Sequence, residues 1–121
     1  MRVLVTGGRD YTDRERVFET LDRIHAKKSI TCLIHGDAPG ADTLASQWAA
    51  SRRVAELPFS ADWNNHYGNR AGNVRNSRML RFGKPDLVVA FPGRSGTADM
   101  KLKAREAGIK VIQIKPRVAS A

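Results

Sequence analysis

Short apolar runs rich in β-branched residues alternate along the chain with segments of helical period. The apolar runs predict five strands, at Arg2–Thr6, Ile30–His35, Val54–Pro58, Asp86–Phe91 and Ile109–Ile114. The segments between them place apolar residues on one helical face and predict four helices, at Asp13–Lys27, Gly40–Arg53, Ala71–Phe82 and Gly96–Ala107. This alternation of strands and helices is typical of repeated βα units around a parallel sheet.

The order of these elements predicts an α/β fold, a Rossmann-like three-layer sandwich with a five-stranded, mainly parallel sheet. Gly108 follows the last predicted helix and is expected to cap its C-terminal end. Because 121 residues suit one domain, we expect a single domain over residues 1–115 and a flexible tail over residues 116–121. Ligands of this fold bind beyond the carboxyl ends of the strands, so a site is expected in the loops that follow them.

Charge and cysteine content narrow the class of protein. Residues 1–60 hold nine basic and eight acidic residues, net +1, whereas residues 61–121 hold twelve and four, net +8. The lone Cys32 cannot form an intrachain disulfide or a zinc cluster, and no apolar run has the roughly 20 residues that span a bilayer. We therefore expect a cytoplasmic protein with no membrane partner, no metal and no cofactor. The basic excess predicts an anionic partner, either a polyanion such as nucleic acid or a small phosphorylated ligand.

Three glycine-rich loops follow predicted strands, at Thr6–Asp10, His35–Asp42 and Phe91–Thr97. Glycine allows close backbone approach, and helix N-termini offer unpaired N–H groups to a phosphate. Short βα turns also use glycine for structural reasons, but three such loops at one sheet edge favour a binding site. The loops lack the P-loop and G-x-G-x-x-G motifs, which disfavours an ordinary NTPase or nicotinamide dehydrogenase. The third loop, with Ser95 and Thr97 among glycines, is the predicted phosphate cradle.

The third predicted helix carries Arg75 and Arg78 within its apolar arc. Burying a guanidinium group is costly unless it is paired, so both arginines are expected to meet acidic side chains or an anionic ligand in the crevice. A structural alternative stays open, in which they reach solvent or pair with Asp37 or Asp62.

Several carboxylates near this crevice are candidates for ribose contact, for orienting arginines or for general acid–base chemistry. Asp10 and Asp37 lie in glycine-rich loops and are favoured for ligand contact. Asp42 and Asp99 lie in first helical turns, where the helix dipole already explains an acidic residue. A lone histidine such as His35 is more often structural than a catalytic base.

Four sequence blocks in one order carry a family resemblance: Gly7-Gly8-Arg9-Asp10-Tyr11, His35-Gly36-Asp37-x-x-Gly40-Ala41-Asp42, Arg75-Asn76-x-Arg78-Met79 and Pro92-Gly93-x-x-Gly96-Thr97-Ala98-Asp99-Met100. Over residues 1–114 the chain resembles the YspA-like, YpsA-related branch of the SLOG superfamily. That superfamily groups Rossmann-like domains related to the cytokinin-activating lonely guy enzymes and to the DNA-processing Smf proteins. The resemblance implies a sheet-edge pocket for a nucleotide or nucleotide-derived ligand, with Pro92–Thr97 on its phosphate side, and a homodimer.

The resemblance also bears on catalysis. Lonely guy enzymes hydrolyse the N-glycosidic bond of nucleoside monophosphates with a Pro-Gly-Gly-x-Gly-Thr-x-x-Glu motif and an upstream arginine, for which Arg75 or Arg78 is the match. In this chain Arg94 replaces the second glycine, and Met100 stands in place of the catalytic Glu. Asp99 lies one position early, which on a helix rotates its carboxylate by about 100°.

The residues and the resemblance together support one leading function and two alternatives. The leading function is binding of a nucleotide or nucleotide derivative, as a sensor or processing domain, through Gly7, Gly8, Arg9, Asp10, Gly36, Asp37, Asp42, Arg75, Asn76, Arg78, Pro92, Gly93, Arg94, Ser95, Gly96 and Thr97. The first alternative is a nucleoside monophosphate phosphoribohydrolase whose acid or base is Asp99, Asp37 or Asp62. The second is single-stranded nucleic-acid binding, which ranks last because the basic residues do not interleave with stacking aromatics.

Overall fold

A computed structural model describes residues 1–61 and 70–116. Its sheet has five strands: β1 (Arg2–Thr6), β2 (Cys32–His35), β3 (Ala55–Pro58), β4 (Leu87–Ala90) and β5 (Lys110–Gln113). The strands lie in the order β3-β2-β1-β4-β5, and every neighbouring pair is parallel. The predicted parallel sheet is confirmed. Its strand order reverses between β1 and β4, which places a topological switch point at the carboxyl ends of these two strands.

Two apolar cores separate the sheet from two helical layers. The helices are α1 (Arg14–Lys27), α2 (Ala41–Arg52), α3 (Ala71–Gly83) and α4 (Ser95–Glu106). Buried Val17 and Trp48 of α1 and α2 pack with Val3 and Val5 of β1 in one core. The second core joins strand residues to α3 and α4 on the other face, and it contains Leu4, Ile34, Val88, Met79 and Met100. The predicted three-layer, Rossmann-like sandwich is confirmed.

The helix ends follow signals that the sequence contains. Asp13 caps α1, because its Oδ1 accepts a hydrogen bond from the N–H of Arg16 at 3.1 Å. Gly108 has φ +75° after α4, which confirms the predicted cap. The helices α2 and α3 instead end at residues with side chains in the left-handed region, Arg53 at φ 57° and Lys84 at φ 49°.

The face that α3 turns to the sheet differs from the predicted arc. The side chains of Phe82, at 57% exposure, and Arg78 are exposed. The buried positions of the helix are Ala71, Asn76, Met79 and Gly83. A Cβ at Gly83 would lie 3.2 Å from the Ile34 side chain, so glycine lets α3 approach β2 along this stripe. The expectation that Arg78 is drawn into the crevice is therefore wrong.

Some expectations concern residues that the structure does not describe. Asp62, proposed above as a catalytic carboxylate, lies in the range 62–69 and so outside the described residues. The same holds for residues 117–121, most of the expected tail. Within the described ranges, no helix combines the length and apolar character needed to cross a membrane.

Candidate functional site

The three glycine-rich loops meet at the backbone of Gly8. Its N–H donates to the carbonyl oxygen of Pro92 at 2.8 Å, and its own carbonyl oxygen accepts from the N–H of Ala41 at 3.1 Å. These two hydrogen bonds tie the loop after β1 to the loop after β4 and to the start of α2. The carboxyl edge of the sheet is thus one connected surface built from three separate parts of the chain.

Several glycines of this edge are required by close packing. Gly40 has φ +80°, and a Cβ there would lie 2.6 Å from the carbonyl oxygen of Arg9. A Cβ at Gly93 would lie 2.8 Å from the backbone nitrogen of Gly8. Gly96 differs, because a Cβ there would meet no atom within 4 Å. Loop packing therefore does not explain the glycine at position 96.

A cavity of about 600 Å³ lies between these loops and α3. Eleven of the residues predicted to bind ligand line it: Gly7, Gly8, Arg9, Asp10, Asp42, Arg75, Asn76, Arg94, Ser95, Gly96 and Thr97. The predicted residues that do not line it are Gly36, Asp37, Arg78, Pro92, Gly93 and Asp99. The three predicted loops therefore do come together, although about a third of the predicted site residues do not line the cavity.

Arg75 reaches this cavity from α3 as a partly buried cation. Its Nη1 donates to the carbonyl oxygen of Gly36 at 2.8 Å, and its Nε donates to Oδ1 of Asn76 at 3.0 Å. Burial lowers the pKa of Arg75, the nearby charge of Arg9 lowers it further, and Asp42 opposes both effects. The guanidinium group stays charged at neutral pH. The positive charges of Arg9 and Arg75 therefore lie near each other at the cavity, and an anionic ligand would stabilise this arrangement.

Asp42 is a buried carboxylate on the wall of the same cavity. Its Oδ2 accepts hydrogen bonds from the N–H groups of Gly36 at 2.9 Å and Ala38 at 3.4 Å. Burial raises the pKa of Asp42, while the neighbouring His35 and Arg75 and the two N–H donors counteract this rise. The carboxylate closes the loop after β2 and supplies negative charge beside Arg75.

Asn76 and Asp99 form a polar link between α3 and α4. The Nδ2 of Asn76 donates to the carbonyl oxygen of Gly96 and to Oδ2 of Asp99, each at 3.0 Å. The same Asp99 oxygen accepts from Lys103 Nζ at 2.9 Å. The Asp99 carboxylate thus contacts Asn76 of α3 and Lys103 of α4, and Asp99 does not line the cavity. Asn76 does line it and connects Arg75 to the first turn of α4.

Two further acidic candidates lie at the margin. Asp37 has a left-handed backbone, φ 55°, and its Oδ2 accepts from the hydroxyl of Ser60 at 2.8 Å. It is exposed and does not line the cavity. Asp10 does line it, and its Oδ2 lies 3.7 Å from Nη2 of Arg94. Both of these side chains are largely exposed, so their contact bridges the first and third loops at the cavity mouth.

The first turn of α3 contributes lining residues that sequence reasoning missed. Gly72 and Asn73 line the cavity beside Arg75, together with buried Met79. The signal that could have found them is Gly72 itself, because glycine within a helix costs about 1 kcal/mol relative to alanine and suggests a close approach. Among the described residues, no group of three His, Cys, Asp or Glu side chains is placed to hold a metal ion.

A doubly wound parallel sheet with helices on both faces defines a Rossmann-like α/β domain, and the cavity lies at its switch point. The chain belongs to the YspA, cpYpsA-related SLOG family, whose model matches residues 1–66. This finding confirms the resemblance drawn from the four sequence blocks. The chain is also 42% identical over 119 residues to the Gene 61 protein of Mycobacterium phage D29, covering 92% of this chain and 94% of that protein.

The fold recurs in a solved structure of low sequence identity. DNA processing protein A (DprA) from Streptococcus pneumoniae superposes with a TM-score of 0.74 at 17% identity. The match covers 98% of this chain but 51% of DprA, so the chain spans about half the length of that protein. The likeness shows a shared fold.

Proposed function

We propose that this domain binds a nucleotide or a nucleotide-derived small molecule in the cavity at the carboxyl edge of the sheet. The observation that carries the proposal is the convergence of Arg9, Arg75 and the start of α4 on that one cavity. Its volume of about 600 Å³ lies within the range of roughly 300–1,000 Å³ typical of small-molecule sites. The domain would use this ligand either as the signal that a sensor detects or as the substrate that a processing domain converts.

The start of α4 is the best candidate for the phosphate side. Ser95, Gly96 and Thr97 line the cavity at the first turn of this helix. No acidic residue lies in that turn, and the N-cap residue Arg94 makes no side-chain capping hydrogen bond. The helix's own first turn and N-cap therefore place no carboxylate at the positive end of its dipole, which supports a phosphate position there.

The direct test is to identify a ligand. The protein is purified under native conditions, and mass spectrometry of the released small molecules is followed by titration of the wild type with AMP, ADP and ATP. We expect at least one nucleotide or nucleotide derivative to bind below millimolar concentration. If no nucleotide binds at millimolar concentration and none is released, the proposal fails.

A second candidate function is hydrolysis of an N-glycosidic bond, and Asp42 is the observation that favours it. A carboxyl group with a raised pKa at the wall of a ligand cavity is suited to general acid–base chemistry. Asp42 lines the cavity whereas Asp37 and Asp99 do not, so Asp42 is the better candidate among the described residues. Release of free adenine from AMP, lost in Asp42→Asn and kept in Asp99→Asn, would support this activity; no release from several nucleoside monophosphates would exclude it.

A third candidate, single-stranded nucleic-acid binding, has some support from α3 and its flanks. Exposed basic residues lie along this helix and at its two ends: Arg70, Arg78, Arg81 and Lys84. Contacts of these side chains with phosphates would give an affinity that falls steeply with salt. The double variant Arg78→Ala, Arg81→Ala would then lose oligonucleotide affinity while keeping nucleotide affinity. An oligonucleotide that binds the wild type and this variant equally would count against the role of this face.

The homodimer implied by the family resemblance also remains a proposal. Two large apolar side chains, Phe82 and Leu102, are more than half exposed on the layer formed by α3 and α4. Burying them against a second copy would remove apolar surface from water. We expect Phe82→Glu with Leu102→Glu to shift the protein to a monomer in light scattering, and a wild type that is already monomeric would contradict the proposal.

A further inference from the structure

A second cavity, of about 480 Å³, lies along α1 and β5, and it shares no lining residue with the proposed nucleotide site. Its floor is aliphatic, formed by Ile24 of α1, Leu87 of β4, Ile112 of β5 and Ile114 just beyond β5. The three isoleucines pack against the core beneath α1 and α2 but are only partly buried. We call this cavity the α1–β5 groove.

The groove lies where no described helix covers β5 on this face of the sheet. On the opposite face of β5, Val111 packs into the core under α3 and α4. On the groove face, α1 is the last described helix in the direction of β5, although a doubly wound sheet carries helices on both faces. The wall formed by α1 runs from Arg16 to Lys27, roughly 16 Å at the α-helical rise. A helix of about three turns matches the length of this wall.

The rim of the groove is basic. Five cations line it, Arg16, Arg23, Lys27, Lys28 and Lys110, against two acidic residues, Glu19 and Asp86. The carboxylate of Asp86 is engaged within the protein, because its Oδ2 accepts from the backbone N–H of Arg2 at 2.8 Å. An aliphatic floor between cationic walls complements a helix that has an apolar stripe and flanking carboxylates.

Arg16 provides an independent observation on the wall of this groove. Its Nε atom is buried and has no hydrogen-bond partner in the described part of the chain. Native proteins rarely leave a buried polar group without a partner. Arg16 therefore brings to this wall a cation whose Nε lacks an acceptor among the described residues, and a carboxylate docked in the groove would pair with its charge.

Charge and shape argue against other occupants. A two-fold symmetric dimer through this face would bring together two surfaces that each carry five cations and two carboxylates, and their like net charges would repel. A nucleic-acid strand would find phosphate contacts, but no aromatic side chain for base stacking is among the described residues that line the groove. The favoured occupant is therefore acidic and partly apolar.

We propose that the α1–β5 groove docks an acidic amphipathic helix of a partner protein. The docked helix would bury its apolar stripe against Leu87, Ile112 and Ile114 and direct carboxylates to the basic rim. This docking does not depend on the proposed nucleotide site, which lies at the carboxyl ends of the strands.

The test uses two synthetic helical peptides of about four turns. Both carry the same leucine stripe, one with flanking glutamates and the other with flanking lysines, and each is titrated into the isotope-labelled full chain. We expect the glutamate peptide alone to shift the amide signals of Leu87, Ile112 and Ile114. The charge reversal Arg23→Glu, Lys27→Glu should weaken its binding about tenfold, and high salt should weaken it as well. The matched control Lys101→Glu, Arg105→Glu, made on α4, should leave binding within about twofold.

Three results would overturn the proposal. The first is no shift of the groove signals with the glutamate peptide. The second is equal binding of the lysine peptide or of the groove charge-reversal variant. The third is concentration-dependent shifts of the same signals without any peptide, since these would assign the groove to a second copy of the chain.

Discussion

Gly40 and Gly96 lie at the same edge of the sheet and lack a side chain for opposite reasons. Gly40 is held at positive φ against the backbone of the first loop, whereas a Cβ at Gly96 would enter open cavity space. We expect Gly40→Ala to destabilise the fold by more than about 2 kcal/mol through strain and overlap. Gly96→Ala should leave stability unchanged or slightly higher while weakening nucleotide binding at least tenfold.

Urea unfolding and nucleotide titration of the two variants measure these effects. A Gly96→Ala protein that binds nucleotide as well as the wild type would remove this glycine from the proposed phosphate position. A Gly40→Ala protein of wild-type stability would contradict the packing argument for the second loop.

The buried Asp42 predicts a pH dependence of stability. Burial raises the pKa of this carboxyl in the folded state above its usual 3.8, so the folded state binds the proton more tightly than the unfolded chain. The resulting stability is fully present below the unfolded pKa and is lost as the pH rises through the folded pKa. Asp42→Asn keeps an acceptor for the N–H of Gly36 and cannot ionise. The free energy of unfolding of the wild type relative to Asp42→Asn should therefore fall as the pH rises above 3.8.

Urea unfolding of both proteins across a pH series checks this relation. A difference that stays constant with pH, or that grows in favour of the wild type, would show that burial does not dominate the ionisation of Asp42.

The helix α3 ends at Lys84, whose left-handed backbone conformation is one that residues with a side chain rarely adopt. Lys84 has φ 49° after the last turn, and its N–H donates to the carbonyl oxygen of Leu80 at 3.3 Å. Glycine adopts this conformation without a Cβ penalty, so Lys84→Gly should raise the free energy of unfolding by about 0.5–1 kcal/mol. Lys101→Gly, within α4, should lower it by about 1 kcal/mol. Thermal unfolding measures both, and a destabilised Lys84→Gly protein would contradict the cap.

Some helices, strands and loops could be predicted from the sequence pattern, and others could not. The strands and the three loops were predictable because apolar β-branched runs end at glycines, as at Gly7 after β1 and Gly93 after β4. The face of α3 was not, because its apolar arc suggests burial of Phe82 and Arg78. Two features decide that face instead, the small Gly83 against β2 and the hydrogen bonds of Asn76 to α4. Such pairings depend on tertiary neighbours and leave no periodic signal.

The same limit applies to the site. Arg75 and Asp42 were predicted from their loops and helix turns, and both line the cavity. The direction of the Asp99 carboxylate was not predictable, since it depends on Asn76 and Lys103 from elsewhere in the helical layer. The position of Asp99 in the helix predicts where its backbone lies but not which neighbouring side chains its carboxylate contacts.

For the whole molecule, the proposed ligand joins loops that follow β1, β2 and β4, so binding should stabilise the entire fold. A ligand at 100 times its Kd adds about 2.7 kcal/mol to the free energy of unfolding. For a domain of this size the expected rise in Tm is roughly 10 °C. Thermal unfolding with and without nucleotide measures the effect. A bound nucleotide that leaves Tm unchanged would show that it binds the unfolded chain as well as the folded one, which contradicts a site assembled from three loops of the folded protein.

A comparison of two arginines three positions apart on α3 tests the proposed nucleotide site most directly. Nucleotide affinity is determined by calorimetry for the wild type, Arg75→Gln and the matched control Arg78→Gln. Because Arg75 lines the cavity and Arg78 is exposed outside it, we predict at least a tenfold loss, about 1.4 kcal/mol, for Arg75→Gln and less than about a twofold change for Arg78→Gln. Equal losses in the two variants, with both still folded, would contradict the proposed site.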